Sequence, residues 1–120
     1  NPLSCAAANA VLDVVLDEDL AGRARTIGTK VMAAFDELVS RHPWVGAAHG
    51  LGAMCGLAIV DERSGAPDAG RAARICGAAR ERGLLIMTAS GNVIRSLMPL
   101  VITDEQLERG LRILAEAVAA

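Results

Sequence analysis

Between Leu20 and Leu38 the apolar residues recur in steps of three and four: Leu20, Ala24, Ile27, Val31, Ala34, Phe35 and Leu38. That period puts them on one face of a helix, while Arg23, Arg25, Lys30, Asp36 and Glu37 fall mostly on the other. A helix with such a stripe cannot bury it alone, so the chain must supply a second layer. His42-Pro43 ends the helix, because proline disfavours helical geometry at the residue before it. The segments after it read as strands. Val45 to His49 and Met54 to Val60 flank a turn at Gly50-Leu51-Gly52, and Gly56 inside the second strand permits close backbone approach. Leu84 to Thr88 and Asn92 to Leu97 read as a second hairpin around Ala89-Ser90-Gly91.

Three more helices complete the pattern. Asn1-Pro2-Leu3-Ser4 reads as a turn leading into a helix that runs to about Leu16, with proline tolerated in the first turn. Its Ala-rich face invites close approach by another element. Asp17-Glu18-Asp19 breaks it and suits the start of the next helix. Asp68 is a good N-cap for a helix whose apolar face carries Ala72, Ile75, Cys76 and Ala79, with Gly83 placed as a C′ glycine. Thr103-Asp104-Glu105-Gln106 is a capping-box pattern, followed by Leu107, Leu111, Leu114 and Val118. The expected fold is α+β: a mostly antiparallel small sheet covered by helices on one face.

The chain has 120 residues, the size of one domain. Its apolar share of 52% and charged share of 22% belong to a globular class. Net charge is −2 and the only aromatics are Phe35 and Trp44, which argues against nucleic-acid binding. No apolar run approaches the roughly 20 residues needed to span a bilayer, and no signal peptide is visible. Cys5, Cys55 and Cys76 are widely spaced in apolar surroundings with no CxxC. They are expected to be buried free thiols of a cytoplasmic protein, not ligands of a metal. The start at Asn1-Pro2, without methionine, suggests a processed or truncated polypeptide.

Few residues can carry chemistry. Arg95 sits in the apolar segment Val93-Ile94-Arg95, where a buried guanidinium needs a carboxylate partner. Two readings are open to it: an ion pair with a surface acid, or a fork that holds a ligand's carboxylate. His49 is either a general base or a polar residue capping the glycine turn. Gly50-x-Gly52 does not lead into a helix, so it is not a phosphate loop. Lys30, the only lysine, lies on the polar face of its helix and reads as solvated, not as a Schiff-base lysine. Serine and histidine form no recognisable nucleophilic set.

The ordered motifs of the chain resemble those of class III aminotransferases along its whole length. Asn1-Pro2-Leu3-Ser4-Cys5-Ala6-Ala7-Ala8 looks like that family's GGNPLACAAA segment. His49-Gly50-Leu51-Gly52-Ala53-Met54 looks like its RGLGxM turn. Arg82-Gly83-Leu84-Leu85-Ile86, Gly91-Asn92-Val93-Ile94-Arg95 and Pro99-Leu100-Val101-Ile102-Thr103 continue the series. From Leu84 to Ile102 the similarity is greatest to 4-aminobutyrate aminotransferases. There are two departures: His49 stands where the family usually has arginine, and the turn Thr88-Ala89-Ser90-Gly91 is shorter.

The resemblance implies a pyridoxal-phosphate enzyme of fold type I, a homodimer or larger, working in two half-reactions. Residues 1–120 would be its C-terminal small domain, with the large cofactor-binding domain outside the chain. The amino group of 4-aminobutyrate would pass to 2-oxoglutarate, giving succinate semialdehyde and glutamate. The Schiff-base lysine, the aspartate on the pyridine nitrogen and most phosphate ligands lie upstream in the family, so no catalytic or cofactor-binding residue carries over. Arg95 does: it matches the arginine that binds the substrate α-carboxylate and exchanges partners with a glutamate of the large domain. The fragment alone would be inactive. Related alternatives are aminotransferases of ornithine, acetylornithine or diaminobutyrate. A different class is a free-standing carboxylate-binding module.

Overall fold

A computed structural model describes all residues 1–120. The order is α1 (Pro2–Asp17), α2 (Leu20–Arg41), β1 (Val45–Leu51), β2 (Met54–Ile59), α3 (Ala69–Glu81), β3 (Met87–Ala89), β4 (Val93–Ser96) and α4 (Asp104–Ala119). The four strands form one antiparallel sheet in the order β1-β2-β4-β3. The α+β class and the one-sided helical cover are therefore as expected.

Alternation decides which side of the sheet is covered. Cys55, Leu57 and Ile59 of β2 and Ile94 and Ser96 of β4 are buried under the helices. They meet Ile27, Val31, Phe35 and Leu38 of α2, Ala72, Ile75 and Ala79 of α3, and Leu107, Leu114 and Val118 of α4 in one core. The α2 stripe read from the sequence is thus the centre of that core. Gly28 lets α2 touch the β1–β2 turn, since a Cβ there would stand 2.3 Å from the Gly52 carbonyl oxygen.

The helix ends follow the local chemistry. Asn1 caps α1 by accepting from the Leu3 amide at 2.9 Å. Asp19, in the left-handed region at φ 44°, accepts from the Gly22 amide and opens α2. Thr103 and Gln106 form the expected capping box of α4.

Two strand boundaries differ from expectation. Gly50 and Leu51 belong to β1, and the turn is carried by Gly52 (φ +56°) and Ala53. The segment from Leu84 to Ile86 is not strand, because α3 ends in a Schellman motif. The Leu84 amide donates to the Ala79 carbonyl at 2.9 Å and the Gly83 amide to Arg80 at 3.0 Å, so this backbone is committed to the helix end. β3 starts only at Met87.

α1 stands apart. None of its residues is buried, and Leu3 and Leu16 remain 78% and 75% exposed. Cys5 is exposed with it, which corrects the expectation that all three thiols are buried; Cys55 is buried and Cys76 half-buried. No helix is long and apolar enough to cross a membrane.

Candidate functional site

The uncovered face of the sheet holds one arginine, Arg95, on a strand and without a partner in the chain. Arg95 is exposed, because its strand neighbours Ile94 and Ser96 take the inward positions. This corrects the expectation of a buried guanidinium with a carboxylate partner. The ion pairs of the chain involve Arg23, Lys30, Arg41, Arg71 and Arg82, and no acceptor within the chain reaches Arg95.

The frame comes from the hairpin that precedes it. Ser90 and Gly91 both take positive φ, 53° and 82°, which turns the chain tightly after β3. Asn92 then clamps β4 to β2: its Nδ2 donates to the Ile59 carbonyl at 2.8 Å, and the Ile59 amide donates back to the Asn92 carbonyl at 2.9 Å. From that clamp the register runs Ala58 to Val93, Leu57 to Ile94 and Gly56 to Arg95. The Gly-Asn-Val-Ile-Arg sequence is thus a device for holding Arg95 at one register position, facing outward.

Three strands contribute to the row on which Arg95 lies. Gly56 pairs with Arg95 on one side and with His49 on the other, while Met87 pairs with Arg95 from β3. Gly56 has no side chain, so it forms a gap between the histidine and the arginine. A Cβ there would lie 2.9 Å from Val93 Cγ1 and 4.0 Å from His49 Cδ2. Met54 and Met87, each 60% exposed, add apolar surface beside the polar groups. Arg95 also borders an apolar cleft of about 280 Å³ between the β3–β4 end of the sheet and α4, lined by Ile86, Met98, Ile102 and Leu111.

An exposed guanidinium on a rigid strand, beside apolar walls, suits the carboxylate end of a small ligand. This arrangement fits the motif series, and comparison with known proteins decides the family. The class III aminotransferase family profile matches residues 1–118. The chain belongs to the class III aminotransferase family. Over 100% of its length it is 42% identical to a probable 4-aminobutyrate aminotransferase of Bacillus subtilis, of which it covers 28%. It is 34% identical over 99% of its length to a 5-aminovalerate aminotransferase of Pseudomonas putida, again covering 28% of that protein. Among solved structures, an amine transaminase from an uncultivated Pseudomonas species, in its pyridoxal-phosphate-bound form, superposes with a TM-score of 0.87 at 38% identity. That match covers 98% of this chain and 27% of the other. The chain thus spans little more than a quarter of the class III aminotransferases it matches.

The other sequence candidates fall elsewhere. Lys30 Nζ lies 2.8 Å from Asp104 and 3.6 Å from Glu108, on the helical side of the fold. Its hydrogen bond to Asp104 holds its pKa above the ordinary lysine value, the opposite of what a Schiff-base lysine needs. Burial pushes the Cys55 thiol up, and its Sγ lies 3.4 Å from the Gly52 carbonyl oxygen, as a structural residue would. His49 was read from the sequence as turn polarity or a base; its place on the Arg95 row was hidden, because strand register is not written in local sequence.

Proposed function

We propose that this chain is the C-terminal small domain of a pyridoxal-phosphate-dependent ω-aminotransferase, and that Arg95 holds the α-carboxylate of 2-oxoglutarate and glutamate. The overall reaction is transfer of the amino group of 4-aminobutyrate to 2-oxoglutarate, giving succinate semialdehyde and glutamate. The observation that carries the reading is Arg95 itself: fixed by the Asn92 clamp, exposed, and without an acceptor of its own. 2-Oxoglutarate and glutamate offer Arg95 an α-carboxylate, whereas 4-aminobutyrate has none, so Arg95 turns to the large-domain glutamate while the amino donor is bound and to the α-carboxylate in the other half-reaction. The relatives named for 4-aminobutyrate and 5-aminovalerate support a substrate with a terminal amine and a short unbranched chain. Those two donors differ by one methylene, which a pocket separates by only about 1–3 kcal/mol.

The cofactor of this reaction supplies an electron sink when bound. Its lysine and phosphate ligands belong to polypeptide outside residues 1–120. The apolar surface left open on α1 is where that polypeptide packs, and the uncovered sheet face then closes over the substrate. The assembled enzyme is a homodimer or larger, and cytoplasmic.

The test is steady-state kinetics of the full-length enzyme with Arg95→Gln. The reading expects kcat/KM for 2-oxoglutarate to fall by about 100-fold or more, as for loss of a charge-assisted carboxylate contact, and kcat/KM for 4-aminobutyrate to change far less. An unchanged kcat/KM for 2-oxoglutarate would remove Arg95 from the site.

A further inference from the structure

We infer that His49 is a second donor to the carboxylate held by Arg95, and so a specificity-determining residue of the same site. The inference rests on the reading of Arg95 above and adds a residue to it. Its first support is register. His49, Gly56 and Arg95 occupy one line across β1, β2 and β4, so all three face the same side of the sheet. Neighbouring strands are about 4.8 Å apart, which puts the His49 and Arg95 backbones roughly 9–10 Å from each other. The residue between them is a glycine, so no side chain rises from β2 between the two, and the nearest neighbour of the missing Cβ is Val93, whose Cγ1 would lie 2.9 Å from it and gives the gap an apolar wall. The His49 ring leans over it, with Cδ2 4.0 Å from where a Gly56 Cβ would be.

The second support is how His49 comes to face outward. In a regular strand, alternation from the buried Val45 would turn residue 49 toward the helices. β1 instead carries a register irregularity between Val45 and Ala48: Val45 pairs with Ile59, but Ala48 pairs with Leu57. The extra residue reverses the alternation, so Ala48 turns inward and His49 outward. A bulge of this kind re-aims a side chain. Here it moves an imidazole out of the core and onto the arginine row.

The third support is chemical. The His49 ring makes no hydrogen bond or ion pair within the chain, so its N–H is free to donate. A carboxylate has about four acceptor positions, of which a bidentate arginine uses two. An imidazole presents an N–H whether neutral or protonated, and so can take a third. Together the two side chains grip one carboxylate from opposite sides of the Gly56 gap.

The experiment measures binding of glutarate, which keeps the chain and both carboxylates of 2-oxoglutarate but has no reactive oxo group, to the full-length holoenzyme by calorimetry. Four proteins are compared with the wild type: His49→Leu, His49→Gln, Arg95→Gln and the double variant H49L/R95Q. His49→Leu should raise Kd by about tenfold, the weight of one hydrogen bond to a charged group. His49→Gln, which keeps an N–H donor, should stay within about threefold of wild type. Because both residues act on one carboxylate, the double variant should bind scarcely more weakly than Arg95→Gln alone. Since His49 is exposed, thermal unfolding should be the same in His49→Leu as in the wild type. If His49→Leu binds glutarate as wild type does while Arg95→Gln does not, the inference fails and the Arg95 reading stands. Fully additive losses in the double variant would also overturn it, placing His49 at a separate contact. If Arg95→Gln itself binds normally, the parent reading fails and takes this one with it.

Discussion

Asn92 and Ile59 exchange two hydrogen bonds, one from side chain to backbone at 2.8 Å and one between backbones at 2.9 Å, and this pair sets the register of β4 on β2. Arg95 inherits its outward position from it, three residues along the strand.

Replacing Asn92 with alanine removes the side-chain bond but not the backbone one. The Ile59 carbonyl keeps a second donor, the Asp68 amide at 3.1 Å, so it is not orphaned. The expected loss is therefore only about 1 kcal/mol in urea unfolding. A loss of several kcal/mol would mean that the clamp does more than hold register.

Two glycines should respond oppositely to alanine. At Gly28 a Cβ would lie 2.3 Å from the Gly52 carbonyl oxygen, so Gly28→Ala must push α2 off the β1–β2 turn. Overpacking of this kind costs about 1–3 kcal/mol. Gly77, within α3, has open space around its Cβ position, and Gly77→Ala should stabilise by about 0.5–1 kcal/mol. Denaturation midpoints of the two variants check both signs.

The Arg23–Asp104–Lys30 cluster joins α2 to the first turn of α4. Its hydrogen bond from Lys30, then that from Arg23, holds the Asp104 carboxyl below its ordinary value of 3.8. A carboxylate depressed in the folded state contributes stability above its unfolded pKa and loses it as pH falls through the folded one. Asp104 should therefore help at neutral pH and cease to help in acid, at pH values below about 4. Asp104→Asn should lower stability at pH 7 and leave it unchanged near pH 2, read from unfolding midpoints at the two pH values.

Cysteine reactivity tests the proposed packing of α1. In the chain itself Cys5 is exposed and Cys55 buried, so a thiol reagent should label Cys5 first and Cys55 only on unfolding. In the full-length enzyme α1 is proposed to be covered, and Cys5 should become protected. Mass spectrometry of the labelled peptides distinguishes the two states.

Much of this was legible in the residues. The α2 stripe, the Asp68 and Thr103 caps, the Gly83 helix end and the Ser90-Gly91 turn are local signals, and local chemistry built them. The motif series pointed to the family before any contact was known. What failed was long-range. Arg95 was read as buried because its neighbours are apolar, yet Ile94 and Ser96 absorb the burial and leave it outside. Leu84 to Ile86 has strand-like composition, but the end of α3 claims its first amide. The β1 irregularity that turns His49 outward exists only in the pairing with β2. No periodicity within β1 announces it.

The most direct test of the account is the kinetics of Arg95→Gln in the full-length enzyme, with amino donor and 2-oxo acid measured separately. Arg95→Gln should lower kcat/KM for 2-oxoglutarate by about 100-fold or more and that for 4-aminobutyrate far less, because only the oxo acid brings an α-carboxylate to the guanidinium. Wild-type kcat/KM for 2-oxoglutarate would contradict it.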